Sequence, residues 1–271
     1  MTLRLMVTYL LLFFACITSA SAAPPVEHPQ DRRPAGVPIL LYHRFGSEVS
    51  DSMTVTSRVF ESHLKYLKDN GYTVIPLRQL VDYYIKKGPF PPPKSVVIVE
   101  DDAHISVYTC MLPLVKKYNI PVTVFAYPSA ISNASYAMTW EQLRALKKTG
   151  LFDIQSHTYW HPNFKREKKK LKQAEYEKLV NSQLRKSQER LGKELGGTID
   201  MLGWPFGIYD DFLISRAVAS GYKTAFTIER HLAGTGDNPM KLPRFLMVNS
   251  DQGSAFIRIL TGTTPKQNSA Y

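Results

Sequence analysis

Short apolar runs alternate with amphipathic stretches along most of the chain. Seven runs of four to six residues have the pattern of buried β-strands, at 38–42, 73–76, 95–99, 121–126, 151–155, 199–203 and 223–227. The stretches at 57–70, 77–87, 104–118, 139–149, 167–195 and 210–220 have the apolar spacing of helices. Glycine closes the stretches at 57–70, 139–149 and 210–220, where it is a common helix stop. This alternation predicts a single α/β domain with a mostly parallel sheet, open or closed into a barrel.

The first 22 residues have the pattern of a secretory signal peptide. A positive start at Arg4 precedes an apolar stretch over 5–17, and small residues at 20–22 offer a cleavage site. The stretch is too short and wrongly flanked for a stable membrane span. We therefore expect an exported protein, periplasmic, extracellular or associated with the cell envelope. A retained anchor, or a lipid attached at Cys16, is the alternative.

Composition narrows the class of protein without naming it. The chain has 271 residues and is 44% hydrophobic, enough to build a full core, which excludes a disordered or fibrous protein. Its 2 cysteines exclude a disulfide scaffold or a Cys-rich zinc module. A net charge of +11 is compatible with nucleic acid, an anionic membrane or an acidic glycan as partner.

The positive charge is concentrated in one segment. Residues 165–194 contain 11 Lys and Arg against 5 Asp and Glu. Their apolar stripe predicts a helix that packs on the domain and exposes its cations, separate from the chemistry. Peripheral contact with an anionic envelope is the role that this helix suggests. Nucleic acid is not expected as a partner, because no helix-turn-helix, zinc finger or RNA-binding signature is found and export is predicted.

Three carboxylates stand at the end of the most apolar predicted strand, at Glu100, Asp101 and Asp102. In parallel α/β folds, chemistry gathers at the C-terminal ends of the strands. Adjacent carboxylates repel one another and lose hydration, and a cation or a shared proton would relieve that cost. Backbone alternation directs Asp101 and Asp102 to different sides, so they can take different roles. The alternative is that one aspartate only caps the following helix.

Two histidines follow the fifth predicted strand, His157 and His161. Pro162 disfavours helical backbone at the residue before it, so a loop or a first turn is expected. With a carboxylate from another strand end, two imidazoles make a three-ligand site with open positions, typical of a catalytic metal. Alone, the pair could equally be ordinary polar loop residues.

Together these motifs resemble the polysaccharide deacetylases, the NodB-like group of carbohydrate esterase family four, over about residues 38–248. The resemblance implies a distorted (β/α)7 barrel in which Asp101 is the general base and Asp102 a metal ligand. It makes His157 and His161, in the motif His-Thr-Tyr-Trp-His, the other two ligands. The implied organisation is a signal peptide at 1–22, an extension at 23–36, the deacetylase domain at 37–250 and a tail at 251–271.

Two further motifs complete the resemblance. The third motif matches Pro-Phe-Gly at 205–207, where the N–H of Phe206 would help to hold the oxyanion. A Leu-Tyr-His segment ending at His43 is similar to the branch that deacetylates poly-β-1,6-N-acetylglucosamine, and there His43 would protonate the leaving amine. Trp160, Trp204 and Gly207 flank the motifs and are the candidates for contact with sugar, the two tryptophans being equally plausible as core.

The sequence departs from the family pattern at three positions. Glu100 replaces an aromatic residue and could raise the pKa of Asp101 or alter the choice of metal. Ala103 stands where the family has glycine, so the turn must accept an alanine. Gly203 stands where many relatives have the arginine that orients the base. Arg244 is the candidate to replace that arginine; a surface or packing role is the alternative.

The hypothesis is therefore a metal-dependent hydrolase that removes N-acetyl groups from an N-acetylglucosamine-containing polysaccharide. The ligand type favours zinc, with cobalt, nickel and iron as alternatives. The runners-up are a peptidoglycan deacetylase, an acetylxylan esterase, or a glycan-binding or export protein with impaired catalysis. The sequence predicts neither the sugar linkage nor an oligomeric state.

Overall fold

The computed structural model describes residues 36–263. The predicted signal peptide, nearly all of the predicted extension and residues 264–271 lie outside this range. Within it, no helix is long and apolar enough to span a membrane.

The strands of this range are short. They are β1 Gly36–Val37, β2 Ile39–Tyr42, β3 Arg44–Gly46, β4 Thr54–Thr56, β5 Thr73–Val74, β6 Ser95–Asp101, β7 Val122–Ala126, β8 Phe152–Ser156, β9 Met201–Gly203, β10 Thr224–Phe226, β11 Ala233–Gly234 and β12 Phe245–Leu246. All seven predicted strands are present, at β2 and β5 to β10.

Seven strands form a curled parallel sheet in the order β10-β9-β8-β7-β6-β2-β12, and β5 pairs with the start of β6. One segment links the two ends of this sheet, because Leu242 bridges Phe226 of β10 and Phe245 of β12 pairs with β2. The distorted (β/α)7 barrel is thereby confirmed. The seven strands of the barrel are not the seven predicted ones. The unpredicted β12 takes the last place in the strand order, and the predicted β5 only pairs with the start of β6. Two residues are too few to show a period, which is why β12 escaped the pattern.

Helices cover the sheet. They are α1 Ser57–Asp69, α2 Leu77–Tyr84, α3 Leu112–Tyr118, α4 Trp140–Lys148, α5 Phe164–Lys170, α6 Gln173–Leu195, α7 Asp211–Ala219 and α8 Ser254–Leu260. A π-helical turn at Val107–Met111 precedes α3. The single helix predicted over 167–195 is two helices, because the backbone is extended at Leu171 and Lys172.

The predicted C-terminal tail contains α8, whose Phe256, Ile259 and Leu260 pack into the main hydrophobic core. The globular fold therefore extends to Leu260, and the boundary expected at residue 250 was wrong. Seven helical residues between a glycine and a threonine are too short for their apolar spacing to stand out in the sequence.

A buried histidine joins α8 to the barrel. His63 on α1 is 2% exposed, stacks on Phe256 with ring centres 4.1 Å apart, and has Nε2 2.6 Å from the carbonyl oxygen of Asp251. Because that carbonyl can only accept, Nε2 carries the proton and Nδ1 accepts from the hydroxyl of Tyr42 at 3.0 Å. Burial lowers the pKa of His63 to about 4, against the opposing hydrogen bond to Asp251.

The lowered pKa predicts a specific loss of stability in acid. Between pH 6.5 and 4 the unfolded chain binds a proton on His63 that the folded chain does not, so stability falls as pH falls. The loss should approach about 3 kcal/mol at pH 4. Urea unfolding at pH 7 and pH 4.5 should show a smaller pH dependence for His63→Gln than for the wild type. An equal change in the free energy of unfolding between pH 7 and pH 4.5 in the two proteins would contradict this assignment.

Candidate active site

A cavity of about 530 Å³ opens at the C-terminal ends of the strands, where the predicted chemistry was expected. Of the predicted site residues, it is lined by His43, Asp101, Asp102, His157, His161, Trp204, Phe206 and Gly207. Residues from four separate segments thus meet at one place.

The turn after β6 explains two of the departures from the family pattern. Asp102 and Ala103 have φ of 86° and 54°, so an alanine does occupy the left-handed region here, at a cost of roughly 1 kcal/mol. The side chain of Glu100 accepts the N–H groups of Ala103 and His104, each at 3.2 Å. Glu100 thereby holds the turn, and these amides are capped by neither aspartate.

Asp101 forms a buried pair with Arg244. The guanidinium donates to both carboxylate oxygens at 2.7 and 2.8 Å, and its Nε donates to the carbonyl of Thr227 at 2.8 Å. Burial raises the pKa of Asp101, but Arg244, His157 and His43 outweigh it and lower that pKa to about 2. The expectation that Glu100 raises the pKa of Asp101 was therefore wrong.

Gly203, where the family resemblance implies the arginine that orients the base, leaves no room for a side chain beside His157. A Cβ there would lie 2.9 Å from Nδ1 of His157, closer than such contacts allow. Arg244 reaches Asp101 from the segment that closes the barrel, and its side chain is 0% exposed. The guanidinium next to the candidate base thus comes from the residue directly before β12 and not from the end of β9.

The two histidines face Asp102. The Nδ1 of His157 lies 2.7 Å from the carbonyl oxygen of Gly203, which can only accept, so Nε2 is left without the proton. Nε2 of His157 and Nε2 of His161 each lie 3.8 Å from Oδ1 of Asp102. Burial and the neighbouring His157 lower the pKa of His161 to about 4, so it is neutral at pH 7, the form that binds metals.

These three residues fit a divalent metal. Their potential ligand atoms all lie within 4.8 Å of one another, and they offer two imidazole nitrogens and one carboxylate oxygen. The hydrogen bond from His157 to a backbone carbonyl is the usual support of a histidine ligand. Three protein ligands beside an open cavity leave positions for water and substrate.

His43 and Phe206 complete the wall of the cavity. Nδ1 of His43 is buried without a hydrogen-bond partner among residues 36–263. Burial lowers the pKa of His43 although Asp102 and Asp101 oppose that shift. Phe206 has φ of 57°, and its half-exposed ring lies 4.5 Å from that of His161. Gly207 leaves no room for a side chain, because a Cβ there would lie 2.5 Å from Ile228.

The two tryptophans differ in position. Trp160 is 40% exposed at the rim. Trp204 is 0% exposed, packs among the side chains of the helical layer and donates its indole N–H to the carbonyl of Met240 at 3.0 Å. Its ring is a core element beneath the cavity, which is one of the two roles that the sequence left open for it.

The cavity residues missed in the sequence include three aromatic rings, those of His104, Tyr127 and Tyr136. His104 stacks on Tyr136 with ring centres 6.4 Å apart, and the hydroxyl of Tyr136 lies 2.9 Å from that of Tyr127. The signal available for His104 was its place directly after the acidic motif. For Tyr127 the signal available was its place directly after β7. Tyr136 lies on a loop, where no local pattern marks it.

The fold and the cavity together define a parallel (β/α) barrel whose strand ends carry an aspartate–histidine cluster suited to a catalytic metal. The family model for polysaccharide deacetylases matches residues 89–225, and the chain belongs to this family. It is thus classed as a polysaccharide N-deacetylase, a hydrolase.

Comparisons with individual proteins, by sequence and by structure, are consistent with membership of this family. The chain is 29% identical over 212 residues to the poly-β-1,6-N-acetyl-D-glucosamine N-deacetylase of Staphylococcus aureus strain MRSA252, covering 76% of this chain and 72% of the relative. The fold is similar to Streptococcus pyogenes deacetylase PplD in complex with acetate, with a TM-score of 0.74, 21% identity and coverage of 84% and 99%. It is also similar to IcaB from Ammonifex degensii, with a TM-score of 0.71, 24% identity and coverage of 81% and 94%.

Proposed function

We propose that this protein removes N-acetyl groups from poly-β-1,6-N-acetylglucosamine and releases acetate. The observation that carries the proposal is the buried pair of Asp101 and Arg244 beside the cluster of Asp102, His157 and His161. The activity named for the Staphylococcus aureus relative supports the choice of sugar.

The cluster would contribute to the reaction through a bound metal. A divalent metal held by Asp102, His157 and His161 would polarise the acetamide carbonyl and acidify water in the site. Zinc suits these ligands best, with cobalt, nickel and iron as alternatives.

The remaining residues handle protons and charge. Arg244 keeps Asp101 ionised, so its carboxylate is ready to accept a proton from water at neutral pH. A carboxylate of such low pKa is a weak base, and its role therefore depends on acidified water. The N–H of Phe206 donates to the developing oxyanion. His43 faces the same cavity and, when protonated, gives its proton to the leaving amine; its lowered pKa favours that release.

The place of action is part of the proposal. We infer from the signal-peptide pattern at 1–22 that the protein works outside the cytoplasm. The cations of α5 and the start of α6 are exposed and would favour an anionic envelope surface, namely Lys165, Arg166, Lys168, Lys169, Lys170 and Lys172.

Acetate release from a panel of substrates tests the function. Oligomers of β-1,6-linked N-acetylglucosamine should be the best substrates, ahead of chitooligosaccharides, peptidoglycan and acetylated xylooligosaccharides. A chelator should abolish the release and added zinc should restore it. Preference for acetylated xylan would indicate an esterase, and binding of glycan without acetate release would indicate an impaired enzyme.

A further inference from the structure

The inner face of α6 contains two polar residues among its buried apolar ones. Tyr176, Val180, Leu184 and Leu191 are at most 1% exposed, as the stripe predicts. Gln183 and Ser187 share this face and are 3% and 0% exposed. A buried polar side chain is costly unless it is hydrogen-bonded, so the partners of these two residues indicate why they are there.

Both partners belong to the segment that carries the metal-binding histidines. Oε1 of Gln183 accepts the N–H of Trp160 at 2.9 Å, one residue before His161. The hydroxyl oxygen of Ser187 lies 2.8 Å from that of Ser156, one residue before His157.

The hydroxyl of Ser156 lies at the centre of a buried group of three hydroxyls. It accepts the N–H of Thr158 at 3.2 Å and lies 2.7 Å from the hydroxyl oxygen of Tyr222 and 2.8 Å from that of Ser187. The hydroxyl of Tyr222 also lies 3.1 Å from the carbonyl oxygen of Leu184, which can only accept. Removing the hydroxyl of Ser187 would take one hydrogen-bond partner away from this buried group.

The loop needs such support because its backbone is strained. Thr158 has φ of 64° and His161 has φ of 59°, in the left-handed region that β-branched residues rarely adopt. Each such residue costs about 1–2 kcal/mol. Hydrogen bonds hold three backbone groups of the loop. The N–H of Thr158 donates to Ser156, and the N–H of Trp160 donates to Gln183. The carbonyl of Tyr159 accepts the N–H of Ser129 at 3.0 Å.

The two histidines are secured unequally. His157 donates its N–H to the carbonyl of Ala126 at 2.8 Å and has its ring fixed by Gly203. The ring of His161 has no hydrogen bond within residues 36–263, and its position depends on the backbone around Trp160. We propose that Gln183 and Ser187 are positioning residues, which hold this loop so that His161 converges with His157 and Asp102. The expectation that the basic helix is separate from the chemistry is thereby revised.

The inference rests on the proposed metal site, and zinc affinity of the metal-free full chain tests it. Competition with a chromophoric chelator should give about tenfold weaker zinc binding for Gln183→Leu. Gln183→Glu keeps an acceptor oxygen and should recover most of the affinity. Val180→Ala is the matched control, because it removes buried volume from the same helix face and leaves the loop hydrogen bonds intact; its affinity should equal that of the wild type.

Ser187→Ala provides a second test if Gln183→Leu does not fold, and it should also weaken zinc binding while Val180→Ala does not. The absorption spectrum of the cobalt-loaded protein should change in the variants that lose affinity. Wild-type affinity in both Gln183→Leu and Ser187→Ala would overturn this inference, as would an equal loss in Val180→Ala. A wild-type chain that binds no zinc would instead overturn the proposed metal site.

Discussion

Acetate release should fall by roughly 10²- to 10⁴-fold when Asp101 is replaced by asparagine, the range that a general base contributes. Asparagine has the same shape and still offers Arg244 one acceptor oxygen, but it cannot take a proton from water. Zinc affinity should change little, because Asp101 is not part of the cluster of Asp102, His157 and His161. The measurement is initial rate on the preferred oligomer, with zinc content determined on the same sample.

Two features make this test specific. The substitution leaves the guanidinium of Arg244 buried without a counter-charge, so the protein should also be less stable, and rates must be compared well below its unfolding temperature. Asp102→Asn is the matched variant at the neighbouring position, where loss of activity should be accompanied by loss of zinc. Full turnover in Asp101→Asn would remove Asp101 from the mechanism.

Replacement of Arg244 by methionine should lower the free energy of unfolding by about 3–5 kcal/mol at pH 7. The carboxylate of Asp101 would then be charged, buried and without its bidentate partner, and its pKa would rise. Because the neutral acid tolerates burial, this destabilisation should shrink as pH falls through the raised pKa. In the wild type, Asp101 has the opposite effect on the pH dependence of stability. Its pKa is lowered to about 2, so the ionised carboxylate contributes stability that is lost as pH falls towards 2.

Urea unfolding of four proteins isolates the pair from other effects. The wild type, Asp101→Asn, Arg244→Met and the double variant form a double-mutant cycle. The loss of stability in the double variant should be smaller than the sum of the losses in the two single variants, because the double variant buries no unpaired charge. A loss below about 1 kcal/mol in Arg244→Met, or simple additivity, would show that the two side chains are not energetically coupled.

The sequence by itself determined the parts of the site that local pattern can encode. Asp101 and Asp102 follow directly on an apolar strand, and His157 and His161 follow another, so membership of a parallel fold was enough to place them at one edge. The seven strands and most of the helices could be predicted for the same reason, because periodicity is a property of neighbouring residues. The pattern left an open sheet or a barrel, and the barrel was expected only from the resemblance to the family.

Only the tertiary structure decided which distant groups support that site. Arg244 meets Asp101 across 143 residues, and Gln183 and Ser187 reach the histidine loop from a helix that local pattern marks only as basic and amphipathic. Trp204 and α8 lie in the core for the same kind of reason. Local pattern tells whether a segment is helical, extended or apolar. It does not tell which buried polar groups satisfy each other, because hydrogen bonds and ion pairs between distant segments depend on the packed geometry of the whole barrel.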